Sequence, residues 1–254
     1  MRVLVTRPAA QAATWVRLLA ARGIDAAALP LIDIVPPADT QAVAAAWRAL
    51  PARRLAVFVS PNAAEQFFIH RPPDMAWPAQ VQAASIGPGT TQALFALGVT
   101  AGQLVEPDAD AAQFDSEALW QRLRTQSWRD ASVLVVRGDG GREWLADTLR
   151  AQGARVDFVS AYRRVAPRFD DDAVLRTRLD AALADGHEHL WLFSSSEAIE
   201  HLLQARPRAR WHEARAIATH PRIAQRARDA GFASVHETRP TLEAVVACIQ
   251  SLAS

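Results

Sequence analysis

The sequence predicts an α/β protein of two similar parallel-sheet domains joined by a two-stranded linker. Three observations carry this. Apolar runs of strand length alternate with helical patterns, as in a parallel sheet covered by helices. A strand–turn–helix unit occurs twice without a gap, VLVTRPAAQAATWVRLLAARGID from Val3 and VLVVRGDGGREWLADTLRAQGARVD from Val133. This sets Arg7 over Arg137, Leu19 over Leu149 and Gly23 over Gly153. Two further units echo in the same order: FVSPNAAEQF (from Phe58) resembles FSSSEAIEHL (from Phe193), and SIGPGTTQALFALG (from Ser85) resembles ATHPRIAQRARDAG (from Ala218). The chain therefore reads X-Y-Z-X-Y-Z, and two copies are too few for a solenoid.

Each element has a local reason. Val3–Val5 is continuously apolar, as expected of a strand covered on both faces. Over Ala12–Ala21 the apolar residues Ala12, Trp15, Val16 and Leu19 recur at helical spacing, and Gly23 supplies the left-handed residue that ends the helix. The same grammar predicts strands at Leu55–Val59, Val81–Ile86, His189–Phe193 and Ala214–Ala218, each followed by a helix. The halves are thus of flavodoxin-like or Rossmann-like type. Between each X and its Y lies an extended segment, LPLIDIVPPAD (from Leu29) and VSAYRRVAPRFD (from Val159), each ending near a proline that discourages helix. Two such strands suggest a linker that crosses between domains twice, although two consecutive domains fit the pattern as well.

Composition narrows the function. The chain has 254 residues, half of them hydrophobic, and a net charge of +1, which argues against nucleic-acid binding through a broad basic surface. With Cys248 as the one cysteine, neither a disulfide nor a cysteine-based zinc site forms within a chain. No segment reads as a signal peptide or a membrane span, so a soluble cytoplasmic protein is expected. Several motifs have plain readings. GDGGR (from Gly138) lacks the ending of a phosphate-binding loop, and its glycines suit a tight turn or close approach to a ligand. DGHEH (from Asp185) reads as a solvated turn rather than a metal site, RPRAR (from Arg206) as a solvated loop, and DDD (from Asp170) as a helix start. Cys248 is expected in the core.

The strand ends carry the chemistry. In a parallel sheet each strand-to-helix turn lies at the carboxyl edge, where open α/β folds bind ligands. Each turn also presents unpaired helix N–H groups with partial positive charge, which suit an anion. The residues so singled out are Thr6, Arg7, Ser60, Asn62, Gly87, Thr90, Arg137, Gly138, Ser194, Ser195 and Thr219. Ser60, Asn62, Thr90, Ser194 and Ser195 read equally as helix caps, and Arg7 and Arg137 as structural ion-pair partners. Tyr162, the only tyrosine, sits in the second extended segment beside Arg163 and Arg164.

Together, VTRP near the start, FVSPNA, SIGPGT, VVRGDGGREWLADTLRAQGA and the tyrosine in AYRR resemble the uroporphyrinogen-III synthase family along essentially the whole chain. That resemblance implies a discontinuous arrangement: 1–33 with 168–254 as one domain, 38–158 as the other, and 29–37 and 159–167 as linker strands. It implies an enzyme with no metal and no organic cofactor, expected as a monomer. Its partner would be a small-molecule substrate, hydroxymethylbilane, a linear tetrapyrrole with eight carboxylates held across a cleft, with no nucleic acid or membrane. On this reading the eleven strand-end residues bind substrate and Tyr162 is the candidate proton donor, the alternative being a packing residue between domains. One departure from the family's pattern is ATHPRIAQ, where Ile223 and Ala224 stand opposite Thr90 and Thr91; Thr219 and His220 lie nearby as substitutes. A non-catalytic two-domain protein that binds an anionic metabolite is the rival reading, and a nucleotide-dependent transferase the third.

Overall fold

The computed structural model describes residues 1–253. Their contacts divide the chain into two compact units: unit 1 is Met1–Asp33 with Val165–Ser254, and unit 2 is Ile34–Arg164. In chain order, β1 (Arg2–Val5), α1 (Ala9–Ala20) and β2 (Ala26–Ala28) belong to unit 1. There follow β3 (Asp33–Val35), α2 (Thr40–Ala49), β4 (Leu55–Phe58), α3 (Pro61–Ile69), β5 (Gln82–Ser85), α4 (Pro88–Ala96) and β6 (Leu104–Val105). The second X unit is β7 (Ser132–Gly138), α6 (Trp144–Ala151) and β8 (Arg155–Val165), with α5 (Ser116–Leu123) before it. The chain then returns to unit 1 with α7 (Ala173–Ala184), β9 (His189–Phe193), α8 (Ser196–Ala205), β10 (Arg215–Ala218), α9 (Pro221–Asp229), β11 (Ser234–Glu237) and α10 (Leu242–Ala253).

The two parallel sheets bear out the predicted fold class. Sheet 1 has the order β11-β10-β9-β1-β2 and sheet 2 the order β3-β8-β7-β4-β5-β6. Apart from β3, the orders are the same once the echo is applied: Z, Y, X and the strand after X stand side by side in both. The registers agree as well. Val3 pairs with Leu190 and Ala26, and its counterpart Val133 pairs with Leu55 and Val156. Phe193 pairs with Ala218, and its counterpart Phe58 with Ser85. The duplication thus extends from sequence to hydrogen-bond register.

Local chemistry explains the helices between these strands. Pro61, Pro88 and Pro221 open α3, α4 and α9, where a missing N–H costs nothing. Gly23 and Gly153 end α1 and α6 with φ of 73° and 90°, a conformation that favours glycine in both copies. Within DDD, Asp172 caps α7, its carboxylate accepting from Val174 and Leu175 N–H, while Asp170 and Asp171 lie in a preceding 3-10 turn. Each unit has its own core. Val3, Val5, Leu19, Leu190, Leu192 and Ile217 pack together in unit 1. In unit 2 the two faces of the sheet bury separate clusters, around Trp47, Phe58 and Phe67 and around Leu119, Trp128 and Leu149. Cys248 is half-buried against the unit 1 core, and burial pushes its thiol pKa up.

The second extended segment is not separate from a sheet. Residues 159–165 are the continuation of β8, paired with β7 as Val136–Val159 and Arg137–Ser160. The register then slips by one residue, so that Gly138 faces Tyr162.

Candidate active site

In unit 1 the carboxyl ends of β1, β9 and β10 bring Thr6, Arg7, Ser194, Ser195 and Thr219 to one sheet edge. Thr6 is buried, and its hydroxyl donates to the Leu192 carbonyl at 2.8 Å. That locks β1 to β9 and removes the Thr6 proton from a ligand. Thr219 is also buried, its N–H on the Phe193 carbonyl at 3.1 Å. Ser195 occupies the N-cap position of α8 without a side-chain bond to the helix, and Ser194 precedes it, half-buried. His220 caps α9 by accepting the Arg222 N–H on Nδ1 at 3.1 Å. It stands where Gly87 stands in the other copy.

Arg7 lies at the end of β1 with its guanidinium carbon 4.5 Å from the centre of the Trp15 ring. Burial pulls its pKa down to about 10, which leaves it protonated at neutral pH. Its Nε is out of solvent and has no hydrogen-bond partner among the described residues.

In unit 2 the ends of β4, β5, β7 and the distal part of β8 gather Ser60, Asn62, Gly87, Thr90, Arg137, Gly138 and Tyr162. Ser60 caps α3, accepting the Ala63 N–H at 3.1 Å, and its oxygen also lies 3.0 Å from the Tyr162 hydroxyl. Asn62 is in the first turn of α3, half-buried. Thr90 is not a cap. Gly87 takes the N-cap position of α4 and leaves Thr90 buried within the first turn. The next residue, Thr91, joins Ser85 (2.7 Å) and donates to Glu106 (2.6 Å), a chain that ties α4 to β5 and to the end of β6. Arg137 does have a structural ion pair: its Nη2 is 2.9 Å from Glu143, and its guanidinium carbon is 3.9 Å from the Phe158 ring centre.

Tyr162 is 1 % exposed and belongs to the unit 2 core. It is seated by Gly138, where an added Cβ would stand 3.0 Å from the tyrosine Cζ and 3.4 Å from its hydroxyl. The glycine is required by the ring, not by its backbone angle. Gly138→Ala is therefore expected to displace Tyr162 and cost about 1–3 kcal/mol of stability, the usual range for overpacking. Thermal melts of the two proteins check this, and an unchanged melting temperature would show that the ring gives way freely.

Three features were not singled out from the sequence: Glu143 on Arg137, the aromatic rings beneath both arginines, and the Ser85–Thr91–Glu106 chain. Glu143 follows Arg137 by six residues across a glycine-rich turn, a spacing with no helical or strand periodicity to flag it.

Comparison with known proteins identifies the family. A family model described as uroporphyrinogen-III synthase HemD matches residues 13–247. A protein named uroporphyrinogen-III synthase from Escherichia coli is 33% identical over 172 residues, covering 67% of this chain and 68% of that one. Another of that name from Synechococcus elongatus is 28% identical over 206 residues, covering 80% and 73%. Among solved structures, the enzymes of that name from Thermus thermophilus and Helicobacter pylori each align with a TM-score of 0.58, at 17% and 15% identity. The alignments cover 100% and 99% of this chain and 97% and 100% of theirs, so the fold is shared from end to end. With a family match that runs through both units, the chain belongs to the uroporphyrinogen-III synthase family.

Proposed function

We propose that the strand-end residues of both sheets bind hydroxymethylbilane, a linear tetrapyrrole with eight carboxylates, and that Tyr162 assists its dehydration. Membership of the family makes the chain an enzyme of tetrapyrrole biosynthesis with uroporphyrinogen-III synthase activity. In that reaction the terminal hydroxyl leaves as water, and a pyrrole nitrogen supplies the electrons for an azafulvene at the first ring. The substituted α-carbon of the last ring attacks it to form a spiro intermediate, which fragments and recloses with that ring inverted. No protein nucleophile is needed. The protein folds the substrate into the productive geometry, disfavours closure without inversion, and offers a proton to the departing hydroxyl. A cytoplasmic monomer is part of this reading; among the described residues no helix is long and apolar enough to cross a membrane.

The observation that carries the assignment of roles is the Ser60–Tyr162 hydrogen bond at the ligand-binding edge of sheet 2. Ser60 already accepts the Ala63 N–H. Either hydroxyl of the pair can donate; when Ser60 gives its proton to the Tyr162 oxygen, the phenolic proton is free for the substrate. Ser60→Ala is expected to remove a cap worth about 0.5–2 kcal/mol and to lower turnover by less than the loss of the tyrosine hydroxyl, because the phenol remains. Urea unfolding and steady-state rates measure the two effects separately. The reaction itself is tested by incubating purified protein with hydroxymethylbilane and identifying the porphyrin isomer after oxidation. The type III isomer is expected. Only the type I isomer of spontaneous closure would leave a binding protein without chemistry.

A further inference from the structure

The duplication places Arg7 and Arg137 at equivalent strand ends, yet the two side chains are finished differently. Each guanidinium lies over an aromatic ring, Trp15 for Arg7 and Phe158 for Arg137. Stacking of this kind satisfies the face of the cation and leaves the N–H donors around its edge to find partners elsewhere. Arg137 finds one in Glu143, which also lies 3.8 Å from Arg150. At the ungapped offset of 130, Glu143 corresponds in sequence to Ala13; Glu143 is the residue before α6, whereas Ala13 is an exposed residue within α1, which begins at Ala9. Arg7 therefore has the ring and lacks the carboxylate: it makes no ion pair among the described residues, whereas buried donors without a hydrogen-bond partner remain on both arginines, Nε on Arg7 and Nε and Nη1 on Arg137. Arg7 is half-buried, with its Nε out of solvent, and a partly desolvated charge without a counter-charge is costly to hold. A ligand carboxylate would supply what Glu143 supplies in the other copy.

We propose that the two arginines have diverged in function: Arg7 receives a carboxylate of the substrate, whereas Glu143 fills the corresponding place on Arg137 from within the protein. This rests on the reading of the strand ends as the tetrapyrrole site and divides the work between them. Unit 1 recognises a carboxylate with a formal charge. In unit 2 the same position is internally neutralised, so backbone N–H groups and hydroxyls carry recognition there. Burial lowers the Arg7 pKa without discharging it at neutral pH, which is consistent with a cation kept for an anionic partner.

The test supplies the missing carboxylate. Ala13 is exposed and sits in the first half of α1, so Ala13→Glu is tolerated by the fold and brings a side chain six residues after Arg7, as Glu143 is after Arg137. Binding of uroporphyrin III, a stable octacarboxylate, is measured by fluorescence titration at low and high ionic strength. Ala13→Glu is expected to weaken binding by about tenfold to hundredfold, the range for a charge-assisted hydrogen bond, and to flatten its salt dependence. Ala13→Gln should bind as the parent does. Arg7→Met, which keeps apolar contact with Trp15, should show the same loss as Ala13→Glu. Parent-like affinity in Ala13→Glu or in Arg7→Met overturns the proposal, and so does equal weakening by Ala13→Gln, which would indicate steric hindrance. The porphyrin isomer made by the unsubstituted protein tests the underlying reading separately.

Discussion

Trp47→Ala is expected to destabilise unit 2 by about 3–5 kcal/mol, the range for removing a buried tryptophan, and to leave unit 1 at its original midpoint. Trp47 projects from α2 and is fully buried. It stacks on Phe67 at 4.7 Å and meets Phe68 edge-on at 5.0 Å. Trp77 completes the group at 6.1 Å. Its indole N–H donates to the Phe67 carbonyl at 2.7 Å, within the last turn of α3, where helix carbonyls lack a partner along the helix. Alanine would thus open a cavity and strand a buried acceptor. Trp47→Phe keeps most of the volume and strands only the carbonyl, which limits the cost to about 1–3 kcal/mol. The buried cluster around Trp47 is drawn entirely from unit 2. Urea unfolding followed by circular dichroism should therefore become biphasic for Trp47→Ala. A single transition shifted as a whole would mean that the units unfold as one.

What the sequence made legible follows from what is local. Alternation of apolar runs and helical patterns located β1, β4, β5, β9 and β10 to within about a residue or two, because a strand buried on both faces has no polar positions to blur its ends. The short outer strands β2, β6 and β11, which are not fully buried, gave no such signal. The echo of Gly23 in Gly153 and of Pro88 in Pro221 reported backbone requirements that recur in the structure as positive φ angles and first-turn prolines. Long-range geometry was not legible. Gly138 meets Tyr162 only because the β7–β8 register slips by one residue, and no composition rule places that slip. Glu143 reaches back to Arg137 across a loop containing Gly140 and Gly141, both at positive φ. Thr90 looked like a cap because threonine favours that position. Gly87, extended and with only 3.1 Å between a would-be Cβ and the Phe114 side chain, holds it instead.

Tyr162→Phe is expected to lower turnover by about 10²-fold or more, the lower end of what a general acid contributes, with little change in affinity for an octacarboxylate product. The substitution keeps the ring against Gly138 and removes one hydroxyl. Its effect on folding is bounded by the single hydrogen bond to Ser60, a net contribution of about 0.5–1.5 kcal/mol. A loss of rate on the proposed scale cannot come from that source, since the variant would still be folded under assay conditions. Complete loss is not expected either, because holding the substrate in a reactive conformation supplies its own acceleration. Tyr162→Ala is the opposite probe: it removes a side chain that is 1 % exposed and opens a cavity beside Phe58 and Val159, members of the same buried cluster. If Tyr162→Phe turns over like the parent while Tyr162→Ala melts early, the tyrosine is a packing residue. The departing hydroxyl would then take its proton from solvent or from the substrate's own carboxylic acids. If Tyr162→Phe is slow and as stable as expected, the proton comes from the phenol, with Ser60 as the group that orients it.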